Sequence, residues 1–333
     1  MNEKSKIFAI KALIAPVLVA IPIFFMQAKG LMSGSESVMR TKITRQSKTL
    51  SSSEQTSENN RLLKTMLSNH PMADLEGNGI LTMEEARVLA SNLRKEEPRR
   101  RHFSGYPFGL KEFYEKRYYT NSENHRLRYY VMKPEDYDST RRYPLVVCLH
   151  GGGGKAAAAQ VLAEPEKRTT YPCFVFVPEA NVGEDWGTHP DPIRAELFAN
   201  IQPLVLEAIA DLEKTFSIDT NRIYVTGHSF GGFGPLTFVF KNPTMFAAAA
   251  PISGYCEPDV APFLTKTSIW IFHGAQDKVV TVDHSGNIVK TMKNAGGNPK
   301  HAEFPNVGHE AAANAYAIEE LWEWLFAQKR NPG

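Results

Sequence analysis

The chain has 333 residues, of which 42% are hydrophobic and 22% charged, a mixture typical of folded globular proteins. This length suits one large domain with a smaller companion, and the composition excludes wholesale disorder, a collagen-like repeat and a polytopic membrane protein. Because 38 Lys and Arg nearly balance 36 Asp and Glu, the formal charge is only +2, and we predict no nucleic-acid partner.

Residues 1–28 have the organisation of a targeting segment. Three lysines precede an apolar run from Ala12 to Met26, which is shorter than the ~20 residues of a membrane span and suits a secretory signal peptide. Met26 and Ala28 supply only half of the small-residue cleavage pattern, so an uncleaved anchor is the alternative. Both interpretations predict a secreted or periplasmic protein, and a membrane would be a partner only through an uncleaved segment.

Residues 29–59 are rich in serine and poor in apolar side chains. So few apolar groups cannot offset the conformational entropy that a packed structure would lose. This composition predicts a flexible linker between the targeting segment and the folded part of the chain.

Residues 60–96 are predicted to form a small helical module around a twelve-residue loop. Oxygen atoms stand where a calcium loop needs its ligands, at Asp74, Glu76, Asn78, the carbonyl of Ile80, Thr82 and Glu85. Gly79 allows the sharp turn of such a loop, and the stretch resembles an EF-hand that would bind Ca²⁺. Glu76 replaces the usual Asp or Asn, and Pro71 ends the incoming helix early. The alternative is therefore a helix–turn–helix with an acidic cap and no metal.

Residues 97–109 contain Pro, Arg and Gly and are predicted to link this module to a main domain over residues 110–330. Short apolar runs in this domain predict strands at Glu112–Tyr119, His125–Met132, Leu145–Leu149, Phe174–Val177, Arg222–Thr226, Phe246–Ile252, Ile269–Phe272 and His301–Phe304. Helical patterns occupy Ile193–Thr215, Phe230–Lys241, Val282–Asn294 and Ala311–Gln328. This alternation predicts an α/β fold with a mostly parallel sheet, helices on both faces and an antiparallel edge formed by the first two strands.

Four glycines, Gly151–Gly154, follow the third predicted strand and His150. Without side chains, the backbone N–H groups of this loop can approach a ligand atom closely. Lys155 is followed by Ala156 and not by Ser or Thr, which disfavours a phosphate-binding loop.

A Gly-x-Ser-x-Gly turn, Gly227–Gly231, lies between an apolar strand and a helical pattern. In this context a tight turn projects the hydroxyl of Ser229 away from the sheet, as a nucleophile requires. If Ser229 attacks a carbonyl carbon, the oxyanion that forms needs two hydrogen-bond donors. We predict that these donors are the N–H groups of Phe230 and Gly152. The alternative is a glycine-rich turn in which Ser229 only caps the helix.

These motifs resemble those of the α/β-hydrolase family, and more closely its secreted serine esterase branch. That branch includes feruloyl-esterase-like, polyhydroxybutyrate-depolymerase-like and prolyl-oligopeptidase-like domains, and the resemblance covers about residues 110–328. It implies a catalytic triad in the chain order serine, acid, histidine.

The acid and the histidine are then sought in loops after later strands. Asp277 follows an apolar strand directly and is the predicted acid, with Asp259 and Asp283 as alternatives. His309 lies between the last predicted strand and the last helix, where this family carries its histidine, and His301 is the alternative.

The implied activity is hydrolysis of small-molecule or polysaccharide-linked carboxylic esters through an acyl-enzyme, with no cofactor for catalysis. His228 and Trp186 are predicted to contact substrate, although Trp186 could instead be a half-exposed ring that stabilises its loop. The segment from Ser253 to Thr267 is too short for a helical lid, which predicts an open site. The alternatives are a serine peptidase of prolyl-oligopeptidase type and a catalytically silent, calcium-dependent surface-binding protein.

Overall fold

The computed structural model describes residues 80–83, 85–86, 112–152, 154–181, 183–187, 199–257 and 260–330. The predicted targeting segment, both predicted linkers and most of the EF-hand-like module lie outside these residues. Among the helices of the described residues, none is both long and apolar enough to span a membrane.

Thr82 and Glu85 form a capping box at the start of a helix. The Glu85 carboxylate accepts hydrogen bonds from the Thr82 N–H at 2.9 Å and from its hydroxyl at 2.8 Å, while the Glu85 N–H donates to Thr82 Oγ1 at 3.2 Å. The Ile80 side chain is exposed. The remaining predicted calcium ligands lie outside the described residues: Asp74, Glu76 and Asn78. The calcium site therefore stays a prediction.

A single sheet of eight strands forms the centre of the main domain. The strands are β1 (Glu115–Thr120), β2 (Arg126–Met132), β3 (Tyr143–Leu149), β4 (Phe174–Pro178), β5 (Ile218–His228), β6 (Ala248–Ile252), β7 (Ser268–Gly274) and β8 (Lys300–Phe304). Their order in the sheet is β1-β2-β4-β3-β5-β6-β7-β8. β2 is antiparallel to both of its neighbours, and the other pairs are parallel. The prediction of a mostly parallel sheet with an antiparallel edge is confirmed.

Helices cover both faces of this sheet. They are α1 (Ala157–Leu162), α2 (Pro165–Thr170), α3 (Gln202–Thr215), α4 (Phe230–Lys241), α5 (Asp283–Asn294), α6 (Ala312–Tyr316) and α7 (Glu319–Ala327). A 3-10 helix spans Ala261–Leu264, and a short parallel pair of strands joins Glu184–Asp185 to Ala199–Asn200.

Two of the predicted helices differ from the structure. The helix predicted from Ile193 begins at Gln202, after the short strand Ala199–Asn200. The helix predicted over Ala311–Gln328 is two helices, because Ile318 has an extended backbone with ψ 115° and interrupts the helical hydrogen bonds.

The central strands are buried on both faces. Leu145, Val147 and Leu149 of β3 belong to one hydrophobic cluster, which includes apolar side chains of α3, α4 and α5. Val146 and Cys148 point to the opposite cluster, which includes side chains of α1, α6 and α7. This alternation of side chains fixes the strand register. Because β3, β5, β7 and β8 run parallel, the loops that follow them lie at the same edge of the sheet.

Candidate active site

Ser229 lies at the tip of the turn between β5 and α4. Its backbone has φ 58° and ψ −122°, a conformation that only glycine adopts readily. A Cβ on Gly227 would lie 2.3 Å from the Gly231 carbonyl oxygen, and one on Gly231 would lie 2.3 Å from that of Leu149. The two glycines therefore allow the close approach that projects the Ser229 hydroxyl from the sheet edge, and the predicted strand–turn–helix geometry is present.

Three predicted residues meet in one hydrogen-bonded chain. His309, in the loop between β8 and α6, lies with Nδ1 2.8 Å from Asp277 Oδ2 and Nε2 2.7 Å from Ser229 Oγ. Since an ionised carboxylate only accepts, Nδ1 carries the ring proton and Nε2 accepts the serine hydroxyl. This arrangement can move a proton from Ser229 to His309.

Two of the alternatives, Asp283 and His301, take no part in this hydrogen-bonded chain. Asp283 is an exposed residue at the start of α5, and Asp259 lies outside the described residues. His301 lies on β8 with Nε2 3.7 Å from a carboxylate oxygen of Glu303.

The Asp277 carboxylate receives hydrogen bonds on both oxygens. Burial opposes its ionisation, but the neighbouring imidazoles of His273 and His309 outweigh this effect and, together with backbone N–H groups, hold the pKa of Asp277 far below its usual value. The backbone donors are Val280 and Val279, at 2.9 and 2.8 Å from Oδ1. Asp277 is therefore a charged acceptor in a fixed orientation.

The glycine loop passes close to the serine turn. A Cβ on Gly151 would lie 3.1 Å from the His228 carbonyl oxygen and 3.8 Å from Ser229 Cβ, so the start of the loop lies beside the turn. Phe230 is the first residue of α4, where the helix dipole favours negative charge. Phe230 directly follows Ser229 and Gly152 directly follows Gly151, and the oxyanion role of both N–H groups stays a prediction.

His150 holds the start of this loop. Its Nε2 accepts the Ala180 N–H at 2.9 Å, which places the ring proton on Nδ1, 2.9 Å from the Gly151 carbonyl oxygen. Trp186 donates its indole N–H to the His150 carbonyl at 3.3 Å.

The structure does not place Trp186 at the surface of a binding site. The side chain is fully buried, and its ring centroid lies 5.1 Å from that of His150 and 5.9 Å from that of Phe230. A ring with no exposed surface cannot contact a ligand in this conformation. Trp186 instead supports the glycine loop and the serine turn from the interior.

His228, predicted to contact substrate, faces the loop of His309. Its Nε2 donates to the His309 carbonyl at 2.6 Å, and the Ser253 hydroxyl donates to the same oxygen at 3.3 Å. Burial lowers the pKa of His228 below its usual value. The ring is therefore neutral at neutral pH and helps to hold the His309 backbone.

No role was predicted from the sequence for Ser253, His273 and Ser285, and each lies within one or two contacts of the chain Ser229–His309–Asp277. Only His273 carried a local signal, since it ends an apolar strand four residues before Asp277. The other two become visible only when the chain is folded.

Comparisons with known proteins agree with this geometry. Residues 120–323 match the Esterase family. The crystal structure of a thermostable esterase is 32% identical with a TM-score of 0.60, over 66% of this chain and 64% of that one. Poly(3-hydroxyalkanoate) depolymerase C of Paucimonas lemoignei is 32% identical over 117 residues, 33% of this chain and 28% of the depolymerase. A protein of Oryza sativa subsp. japonica, named as a probable carboxylesterase, is 24% identical over 58% of this chain and 81% of its own length.

The matches therefore span less than two thirds of the depolymerase and of the thermostable esterase. The family match is broader, because it runs from the end of β1 into α7 and includes all three residues of the hydrogen-bonded chain. Since that match covers more than half of the sequence, the protein belongs to the Esterase family and has the α/β-hydrolase fold.

Proposed function

We propose that the protein is a serine hydrolase that cleaves carboxylic esters through an acyl-enzyme. The observation that carries this proposal is the continuous chain Ser229 Oγ, His309 Nε2, His309 Nδ1, Asp277 Oδ2, with separations of 2.7 and 2.8 Å. Such a chain pairs a weak nucleophile with a base and a group that orients the base.

In the proposed reaction, His309 Nε2 takes the hydroxyl proton as Ser229 Oγ forms a bond to the ester carbonyl carbon. The resulting oxyanion is stabilised by the N–H groups of Phe230 and Gly152. His309 then gives the proton to the leaving alkoxide as the carbon–oxygen bond breaks. Water repeats the sequence on the acyl-enzyme, and Asp277 stabilises the imidazolium in both halves.

Every proton in this scheme moves through His309, so the proposed catalysis calls for no cofactor. In this proposal, calcium binds only to the N-terminal module. The N-terminal sequence supports a secreted or periplasmic location, with an uncleaved segment as a membrane anchor in the alternative case.

Small-molecule or polysaccharide-linked esters are the proposed substrates. The names of two relatives, a poly(3-hydroxyalkanoate) depolymerase and a carboxylesterase, support an ester over a peptide. In the described part of the connection between β6 and β7, the regular structure is the 3-10 helix Ala261–Leu264, which is too short for a helical lid. This supports access for bulky esters.

In the decisive experiment, turnover by the purified protein is measured on p-nitrophenyl, feruloyl and peptidyl substrates. Labelling by a serine-directed organophosphate is measured in parallel. We expect turnover of esters, one adduct on Ser229 by mass analysis, and loss of both in Ser229→Ala. Preferential turnover of peptidyl substrates would instead establish the peptidase, and absence of both turnover and labelling would favour the silent surface-binding protein.

A further inference from the structure

His273, near the end of β7, is fully buried and makes polar contacts with both ring nitrogens. Its Nε2 lies 2.8 Å from the Val280 carbonyl oxygen and 3.3 Å from Asp277 Oδ2. Because a carbonyl oxygen only accepts, Nε2 must carry the ring proton. Nδ1 is then an acceptor, and the buried Ser285 hydroxyl, in the first turn of α5, donates to it. These bonds hold the imidazole in a single tautomer and orientation.

Asp277 Oδ2 consequently faces two imidazole N–H groups. His309 Nδ1 lies 2.8 Å away and His273 Nε2 lies 3.3 Å away. The second histidine has no exposed surface, so it can influence a reaction only through Asp277 and not by contact with substrate. The Nε2 proton of His273 is directed mainly at the Val280 carbonyl, and the 3.3 Å contact with Asp277 Oδ2 joins the hydrogen-bonded pair His273–Ser285 to the chain Ser229–His309–Asp277.

We propose that His273 is a positioning residue for the reaction, which Ser285 holds in place so that it orients the Asp277 carboxylate toward His309 and shares its negative charge. This inference rests on the proposed function. In this inference a second imidazole contacts the Asp277 carboxylate, fixes the orientation of that carboxylate and shares its charge.

Several ionisable groups lie near this chain and could also affect its titration. His228 interacts electrostatically with His309, Glu310 and Asp277. On the α5 side, His284 interacts with His273 and Asp283. On β8, His301 interacts with His273, Glu303 and Lys293. These groups are unchanged in a variant of His273, so a change in its pH profile reports the loss of the His273 contact.

The loss of this contact has a predictable direction. Without the Nε2–H of His273, the charge of Asp277 is shared with fewer donors and stabilises the protonated form of His309 more strongly. The base must be neutral to take the Ser229 proton. The acidic limb of the pH profile of kcat/KM should therefore move to higher pH, while the less fixed carboxylate lowers kcat.

The test compares His273→Leu with His273→Gln, whose amide can place an N–H where Nε2 lies. For His273→Leu we expect kcat to fall about 10²-fold with KM little changed and the acidic limb at higher pH. His273→Gln should recover most of both changes. A normal kcat in His273→Leu, or equal losses in both variants with an unmoved acidic limb, would overturn the proposal.

Ser285→Ala keeps the test decisive if His273→Leu does not fold. This variant removes only the hydroxyl that holds Nδ1, and a smaller fall in kcat with a limb shift in the same direction is expected. An unchanged profile in a folded Ser285→Ala would contradict the role assigned to Ser285 and His273. Ser229→Ala is measured in parallel: if it stays as active as the wild type, the proposed function fails and this inference with it, whereas insensitivity of the His273 and Ser285 variants alone defeats only the inference.

Discussion

Asp277 is a buried carboxylate that accepts hydrogen bonds from His309 and from the N–H groups of Val279 and Val280, and it fixes the tautomer of His309. In Asp277→Asn the amide can donate to Nδ1, which leaves the proton on Nε2, where the serine hydroxyl needs an acceptor. We expect kcat to fall up to about 10⁴-fold with the fold intact. Steady-state kinetics and circular dichroism would check this.

The matched control is Asp283→Asn, because Asp283 is exposed at the start of α5 and lies outside the hydrogen-bonded chain. Its turnover should stay close to that of the wild type. A comparable loss in Asp283→Asn, or near-normal turnover in Asp277→Asn, would show that the acid had been assigned to the wrong residue.

His228 gives a second prediction at the scale of single residues, because sequence and structure assign it different tasks. If the hydrogen bond to the His309 carbonyl is its task, His228→Leu should lower kcat about 10-fold with KM nearly constant, the effect of one lost hydrogen bond. His228→Gln retains a donor and should lose less. A higher KM with unchanged kcat would restore the sequence interpretation of His228 as a substrate contact.

At the scale of elements, the central part of the sheet could be predicted because strands such as β3, β4 and β7 are short apolar runs bounded by polar or turn residues. β3 shows this well, with every residue from Tyr143 to Leu149 buried. α1 and α2 could not be predicted, since six residues are too few to show a helical period. The break between α6 and α7 could not be predicted either, because the apolar pattern continues across Ile318 while the helical backbone conformation does not.

The turn between β5 and α4 depends on the absence of a side chain at Gly231. In Gly231→Ala, the new Cβ would lie 2.3 Å from the Leu149 carbonyl oxygen and 2.7 Å from that of His150, so the backbone must move. We expect the free energy of unfolding to fall by about 1–3 kcal/mol and turnover to fall with it. Denaturant unfolding and ester hydrolysis measure the two effects.

Gly286→Ala is the matched control, because a Cβ at this position in α5 meets no atom within 4 Å. Alanine in a helix loses less conformational entropy than glycine, so this variant should gain about 0.5–1 kcal/mol at full activity. Equal stability changes in the two variants would mean that the close approach at Gly231 is not what the turn requires.

At the scale of the whole molecule, the three triad candidates could be found because parallel strands bring their following loops to one edge of the sheet. Ser229, Asp277 and His309 each follow a predicted strand, and the structure joins them. The residues that hold these three side chains in place could not be predicted in this way. The contacts of His228, Ser253 and Ser285 depend on side-chain directions across different elements, which leave no pattern in the sequence.

The predicted calcium loop is separated from the main domain by the predicted linker 97–109, so calcium should act on the stability of the N-terminal module and not on turnover. We expect the full chain to bind Ca²⁺ with a Kd of about 10⁻⁴ to 10⁻³ M by calorimetry, and ester turnover to be nearly constant in EDTA.

Glu85→Gln suits this experiment as a control, since glutamine preserves the capping box with Thr82 but removes the charge that calcium needs. Binding should then weaken without loss of the helix. No heat at millimolar calcium would exclude the site, and a large loss of turnover in EDTA that calcium restores would show that the module acts on catalysis.

The positive φ of Ser229 projects its hydroxyl from the sheet edge but lowers the stability of the fold. Holding a serine at φ 58° costs about 1–3 kcal/mol, which glycine would not incur, and the fold has to offset that cost elsewhere. Ser229→Gly should therefore unfold at a higher denaturant concentration than Ser229→Ala, which removes the same hydroxyl but keeps the strain. Selection for thermal stability alone would therefore favour glycine at position 229 and remove the hydroxyl of the proposed nucleophile, so a stabilised variant of this chain should keep Ser229.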